Sequence, residues 1–217
     1  SSKLIENGSP IMGNPDAKIT ILEWGDYQCT FCYKFHQNTL NIINEDFIKT
    51  GKVNIIFKDF PLNGPDSKLA AEASYCAHDQ KKYWEYHDQL YENWAGERTG
   101  WITRETLSKF AELINLDIIE FNKCLDDSKY ENKVNSMYEF GNEIGIDATP
   151  SFLVFNDEKI IKKNFFPKNN GHKEGVLQPF SNDKIRPWEE IKVSTELMLY
   201  IENMVQNLKQ EGIFTFK

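Results

Sequence analysis

Cys29 and Cys32 lie three residues apart in the stretch Trp24-Gly25-Asp26-Tyr27-Gln28-Cys29-Thr30-Phe31-Cys32-Tyr33-Lys34-Phe35. Two thiols at that spacing can close a disulfide when they share the first turn of a helix. A helix start also offers unpaired N–H groups and the positive end of the helix dipole, and both favour a thiolate. The chemistry indicated is thiol–disulfide exchange, with Cys29 as the exposed nucleophile and Cys32 as the resolving thiol. Half of a zinc site is a competing use of a Cys-x-x-Cys pair, but a zinc knuckle needs two more ligands at short spacing. The four histidines (His36, His78, His87 and His172) and the other two cysteines, Cys76 and Cys124, supply no such pair. Neither a metal nor another cofactor is required. An inert structural bridge is the other alternative.

The flanking sequence must place these thiols at a strand-to-helix junction. Lys18-Ile19-Thr20-Ile21-Leu22 is a β-rich apolar run and predicts a strand over 18–23. After the dithiol, Phe31, Cys32, Phe35, Leu40, Ile42 and Ile43 recur at roughly helical spacing, so a helix is expected from 29 to about 50, ended by Gly51. Val53-Asn54-Ile55-Ile56-Phe57 predicts a second strand. Strand, crossover helix and strand imply a parallel pair.

Pro61, Gly64 and Pro65 then interrupt the pattern, and the periodicity becomes purely helical. One stripe runs through Leu69, Ala73, Cys76 and Ala77; a second through Trp84, His87, Leu90, Tyr91 and Trp94; a third through Leu107, Phe110, Ala111 and Ile114. Trp84, Trp94 and Trp101 are assigned to this helical core. Asp117…Glu120 and Ser128…Glu131 have the spacing of capping boxes and predict two more helix starts, the second helix running from about 129 to Gly145. Ser151–Phe155, the turn Asn156-Asp157 and Lys159–Ile161 read as an antiparallel hairpin. Residues 164–187 are expected to form a long surface loop. An amphipathic helix through Leu197, Met198, Ile201, Met204, Val205 and Leu208 follows, with Ser194 as N-cap and Gly212 beyond its end.

Composition narrows the function classes. A chain of 217 residues with 40% hydrophobic and 13% aromatic content suits one core with an insertion. The net charge of −8 and pI of about 5.1 give no electrostatic support for binding nucleic acid. No apolar run approaches the roughly 18 residues needed to span a membrane. A chain opening Ser1-Ser2-Lys3 without Met reads as processed or trimmed, with any export signal or anchor outside it. Four cysteines, an even number, are compatible with an oxidising compartment.

A βαβ unit with Cys-x-x-Cys at its first helix, followed by a ββα unit opened by Thr149-Pro150, resembles the thioredoxin arrangement. With a helical domain inserted between the halves, the chain resembles the DsbA-like thiol–disulfide oxidoreductases. The stretches carrying the resemblance are Gly13–Ala17, Ile21-Leu22-Glu23, Tyr27–Cys32, Phe57–Leu62, Ala70–Ala77 and Ala148–Phe152. The implied fold is α/β: βαβ then ββα around a central mixed sheet, with an all-helical insertion. Its expected divisions are 14–63 for the first half, 64–145 for the insertion and 146–217 for the second half. One departure is Thr30-Phe31, where the best-known strong oxidants carry Pro-His.

The resemblance also implies roles for individual residues. The Thr149–Pro150 bond would be cis and lie beside Cys29, with Thr149 offering its backbone to an extended substrate. Glu23 would be a buried carboxyl beneath the dithiol, passing a proton to or from Cys32, with Lys58 as its charge partner or else a surface lysine at a strand end. Cys76 and Cys124, each on the apolar stripe of an inserted helix, are either two unpaired buried thiols or, as in some relatives, a structural disulfide. Trp24, Tyr27, Phe31 and Tyr33 surround the dithiol, and as an apolar patch they could receive unfolded substrates.

The leading expectation is a monomeric enzyme that donates the Cys29–Cys32 disulfide to newly exported, cysteine-containing proteins outside the cytoplasm. A quinone-linked membrane partner would reoxidise it. A reductase or isomerase, or a binding or chaperone module with a vestigial dithiol, are the alternatives. Without a positive charge at Thr30-Phe31, the potential is expected above thioredoxin's value of about −270 mV and below the strongest oxidants near −120 mV.

Overall fold

A computed structural model describes residues 2–156, 160–161, 199, 201–203 and 206. A short helix α1 (Ser2–Ile5) leads into β1 (Met12–Gly13) and then β2 (Ile19–Gly25). A long helical stretch, α2, follows as four consecutive segments: Thr30–Lys34 and Asn41–Ile43 are α-helical, Phe35–Leu40 and Asn44–Ile48 are π-helical. Gly51, at φ +72°, makes the left-handed turn that ends it, and β3 (Val53–Asp59) begins two residues later. Five helices then run in succession: α3 (Pro65–Asp79), α4 (Tyr83–Glu92), α5 (Arg104–Leu113), α6 (Ile118–Asp126) and α7 (Glu131–Glu143). Strands β4 (Ser151–Asn156) and β5 (Ile160–Ile161) return to the sheet.

The sheet order is β1-β3-β2-β4-β5, with β2 parallel to β3 and the other neighbours antiparallel. Alternation along β2 divides the core. Ile19 and Ile21 face α2, packing with Phe35, Leu40, Ile43, Val53, Ile55, Phe152 and Val154. Leu22 and Trp24 face the other way, into a cluster with Ile56, Phe60, Ile146 and Phe155. With both faces covered, β2 and β3 are buried along almost their whole length, including the polar side chains of Glu23, Asn54, Lys58 and Asp59. Gly25 is obligatory where β2 ends, since a Cβ there would stand 2.2 Å from the Phe57 ring.

The helices of the third cluster pack Ala73, Ala77, Leu90, Leu107, Phe121, Leu125 and Val134 together with Tyr27, Cys29, Cys32 and Phe57. The dithiol therefore sits on the seam between the sheet and the inserted helices. Cys76 of α3 and Cys124 of α6 are joined, S–S 2.04 Å, with Cα atoms 5.7 Å apart.

Asp117 caps α6, its carboxylate accepting from the N–H groups of Ile119 and Glu120 at 2.9 and 3.1 Å. Ser128 does not cap α7. It takes φ +47° and donates its N–H to the Leu125 carbonyl, closing the end of α6, and α7 starts three residues later without a side-chain cap. The same residue type serves either end of a helix, and here the preceding helix claims it. The expected loop 164–187 lies outside the described residues. In the expected last helix, Leu199, Ile201, Glu202, Asn203 and Gln206 are described and helical, and Ile201 is buried beside α2 and the sheet.

Candidate active site

Cys29 is the N-cap residue of α2, with extended backbone (φ −66°, ψ 125°), and Cys32 is in the first turn beyond it. Both are free thiols. Cys32 is fully buried; Cys29 keeps 5% of its surface, less than the exposed nucleophile expected from its position. The inserted helices close over the junction and bury both cysteines. The Thr149–Pro150 peptide is cis. Antiparallel pairing of Trp24 with Ser151 carries that bond to the end of β2, and the Cys29 thiol donates to the Thr149 carbonyl at 3.3 Å.

The environment splits the two thiols. The Cys32 thiol donating to Cys29 is the chief influence holding the Cys29 pKa below its usual value, aided by the Thr149 side chain and the Cys32 N–H; burial and Asp26 oppose them. Burial pushes Cys32 well above the ordinary thiol range, reinforced by that same hydrogen bond and by the charges of Cys29 and Glu23. The first thiol to ionise is Cys29, and the one that holds its proton is Cys32. Glu23, 3% exposed, lies on the α2 face of β2. Burial drives its carboxyl well above the usual carboxylate range, and Cys29 adds to the shift.

Lys58 is not the partner of Glu23. Parallel register sets Glu23 beside Phe57 and Trp24 beside Lys58, so the lysine points to the opposite face of the sheet. There its ammonium donates to the Glu6 carbonyl at 2.7 Å and stands 4.9 Å from the Phe140 ring centre, lining a cavity of about 430 Å³ with Glu6, Ser136, Glu139 and Glu143. Burial lowers its pKa to about 8.

Two of the aromatic residues expected around the dithiol are not available to a substrate. Trp24 is fully buried on the far face of the sheet. Tyr27 is buried among the helices, accepting from Ser74 at 2.9 Å and bonded to His87 at 3.0 Å. Phe31 and Tyr33 remain half-buried at the edge of the helical cluster. Trp94 lies beyond the end of α4, outside the helical core; it stacks on Tyr33 (ring centres 4.6 Å apart) and donates to the Gln28 carbonyl at 2.9 Å. Trp84 bridges the helical and sheet clusters, donating to the Pro10 carbonyl, while Trp101 packs against the helical cluster.

Two polar residues of the junction support the site from within the core. Asp26 is a buried hub: it accepts from the N–H groups of Gln28, Leu62 and Asn63 and from Ser67 Oγ, all at 2.7–2.8 Å. Its bond to Gln28, two residues on, is an Asx turn that the order Asp-x-Gln before a helix could have suggested. Gln28 is fully buried; its side-chain N–H2 donates to Ser67 Oγ and its side-chain carbonyl accepts from the Arg98 N–H at 2.9 Å. Among the described residues, no group of three or more His, Cys, Asp or Glu side chains is placed to hold a metal ion.

A paired thiol at a helix start, a second thiol held protonated and a buried acid beneath them, on a mixed sheet with a cis proline alongside, define a thioredoxin-type exchange site. A family model described as thioredoxin matches residues 6–169, and the chain belongs to that family. It is 31% identical over 160 residues to disulfide bond formation protein D of Bacillus subtilis, covering 71% of this chain and 70% of that protein. It is 24% identical over 151 residues to a putative protein-disulfide oxidoreductase of Rickettsia bellii, covering 69% of this chain and 58% of that one. Oxidised BdbD from Bacillus subtilis shares the fold, with a TM-score of 0.72 at 24% identity over 93% of this chain and 95% of that one. Wolbachia pipientis alpha-DsbA1 superposes with a TM-score of 0.69 at 26% identity over 98% of both chains. The chain is a DsbA-like thiol–disulfide oxidoreductase.

Proposed function

We propose that the enzyme works as an oxidase outside the cytoplasm, donating the Cys29–Cys32 disulfide to exported, cysteine-containing proteins. The observation carrying this reading is the split of the two thiols, Cys29 held low and Cys32 held high beside the cis Thr149–Pro150 bond. A substrate thiolate attacks Cys29 Sγ; the S–S bond to Cys32 breaks, and a mixed disulfide forms. Cys32 leaves with the electron pair and takes a proton, for which the Glu23 carboxyl is the donor. A second substrate thiolate then attacks the substrate sulfur of the mixed disulfide, and Cys29 leaves as the more stable thiolate. Two electrons have passed to the enzyme, and the substrate holds a disulfide.

Thr149 supports the substrate backbone next to Cys29, and half-buried Phe31 flanks the sulfur. A quinone-linked membrane partner accepts the electrons. The inserted helices, 64–145, close the site between the two parts of a thioredoxin unit, the first at 14–63 and the second opening at 146; most of the second part's expected span to 217 lies outside the described residues. Among the described residues no helix is long and apolar enough to cross a membrane.

Equilibration with glutathione buffers tests this reading. A potential between about −270 and −120 mV supports net oxidation; one at or below thioredoxin's makes reductase the better description.

A further inference from the structure

The start of α2 is shared by two acidic groups. Cys29 stands at the N-cap position without a side-chain capping bond, and the first N–H beyond it, that of Thr30, donates to Glu97 Oε1 at 2.7 Å. Glu97 comes from the connection between α4 and α5, 67 residues away in the chain.

The placement of Glu97 is built by the residues around it. The Arg98 N–H is held by the buried Gln28 side chain at 2.9 Å, and its guanidinium donates to the Leu62 carbonyl at 3.4 Å. Trp94 is fixed by its stack on Tyr33 and its bond to the Gln28 carbonyl. Trp101 Nε1 donates to the Gly96 carbonyl at 3.0 Å, and Thr99 Oγ1 to that of Ala95 at 3.0 Å. Arg98 takes φ +55°, which turns the chain so that adjacent residues reach Thr30 and Gln28. Gln28 immediately precedes Cys29, so the clasp grips the site from both sides of the helix start.

We propose that Glu97 is a positioning residue that tempers the reactivity of Cys29, its carboxylate occupying a helix-start N–H and placing a second negative charge beside the thiolate. The positive end of a helix amounts to roughly half a charge, so an anion already seated there weakens the stabilisation left for another. A less stabilised thiolate makes the disulfide a weaker oxidant. The groups facing Cys29 are Glu23 from β2, Asp26 from the junction, Cys32 from α2, Tyr91 from α4 and Thr149; Glu97 is the acid that the inserted helices contribute. Because Glu97 is exposed, its influence is modest and sensitive to salt. The inference rests on Cys29 being the reactive thiol and not on the direction of electron flow.

The test compares Glu97→Gln, which keeps an acceptor for Thr30 and loses the charge, with Glu97→Asp, which keeps the charge. The Cys29 pKa is read from the pH dependence of alkylation in the reduced protein, and the equilibrium with glutathione is read separately. Glu97→Gln is expected to lower the pKa by several tenths and to shift the glutathione equilibrium about threefold toward reduced enzyme, or about 14 mV at 29.6 mV per decade. Glu97→Asp should stay near the parent. The difference should shrink as ionic strength rises from about 0.01 to 1 M, where the screening length falls from about 30 to 3 Å. A Glu97→Gln protein with unchanged or raised pKa at low salt, and a melting curve like the parent's, would overturn the proposal and leave Glu97 as a helix cap alone. Alkylation needs no substrate, so this result stands apart from whether the enzyme proves an oxidase.

Discussion

Cys29 and Cys32 are three residues apart and stand as free thiols at the start of α2, whereas Cys76 and Cys124 are 48 residues apart and bonded between α3 and α6. Both pairs belong to the same buried cluster, so burial alone does not decide which pair exchanges. The first pair has a helix N-terminus, a buried carboxyl beneath it and the carbonyl of Thr149, at the cis Thr149–Pro150 bond, within hydrogen-bond reach of Cys29. The second is flanked within its own helices by Ala73, Ala77, Phe121 and Leu125, apolar neighbours that offer nothing to stabilise a thiolate. Reactivity follows from stabilising one thiolate, and only the first pair has the groups to do so; exposure does not separate the pairs, since Cys124 keeps 8% of its surface against 5% for Cys29.

The sharpest way to break this contrast is to remove the reactive sulfur. Cys29→Ser should abolish exchange with a dithiol substrate, whereas Cys32→Ser should accumulate a mixed disulfide at Cys29. Alkylation of the reduced protein near neutral pH should mark Cys29 first, and preferential labelling of Cys32 would reverse the assignment.

The second pair should report on stability instead. Replacing Cys76 and Cys124 together by Ala is expected to cost about 4 kcal/mol in urea unfolding, from a loop of roughly 49 residues on the chain-entropy model. Exchange activity should survive in the folded fraction. Graded reduction followed by intact-mass analysis should open Cys29–Cys32 before Cys76–Cys124.

A smaller effect is expected from Glu23→Gln. The folded carboxyl has a pKa raised above its ordinary value of 4.5, so folding is favoured by its protonated form and penalised as pH rises above that value. The Gln variant should therefore be more stable than the parent at neutral pH, with the gain disappearing below about pH 4.5. It should also slow release of Cys32 from the mixed-disulfide step. Equal stability of the two proteins across the pH range would place Glu23 in contact with water. The smallest effect is predicted for Lys58→Met: the pH profile of exchange should be unchanged, because the ammonium lies on the other face of the sheet. A displaced profile would restore a link between Lys58 and the dithiol.

Much of this was legible because it depends on local spacing. Two thiols at i and i+3 after an apolar strand mark a helix start whatever surrounds them, and Gly51 marks its end through backbone freedom that other residues lack. Asp117 could be read as a cap because its partners are two and three residues away. Ser128 has the same local pattern yet ends α6, since the choice between ending α6 and starting α7 depends on how those helices pack.

The features of the site that local sequence does not show have a single physical origin. Whether Lys58 reaches Glu23 depends on which residues of β2 and β3 lie side by side, and a shift of one residue exchanges the faces of a strand. Trp24 and Tyr27 stand near Cys29 in sequence, but strand alternation and the packing of the inserted helices turn both into the core. Glu97 is 67 residues from Thr30, and an exposed glutamate in a loop has no local feature that names its partner. The sequence by itself determined the exchange chemistry and the elements that carry it, because these follow from residue types at short range. Only the tertiary structure decided which acids surround the sulfur and how deeply Cys29 is buried, because those depend on strand register and on contacts between segments far apart in the chain.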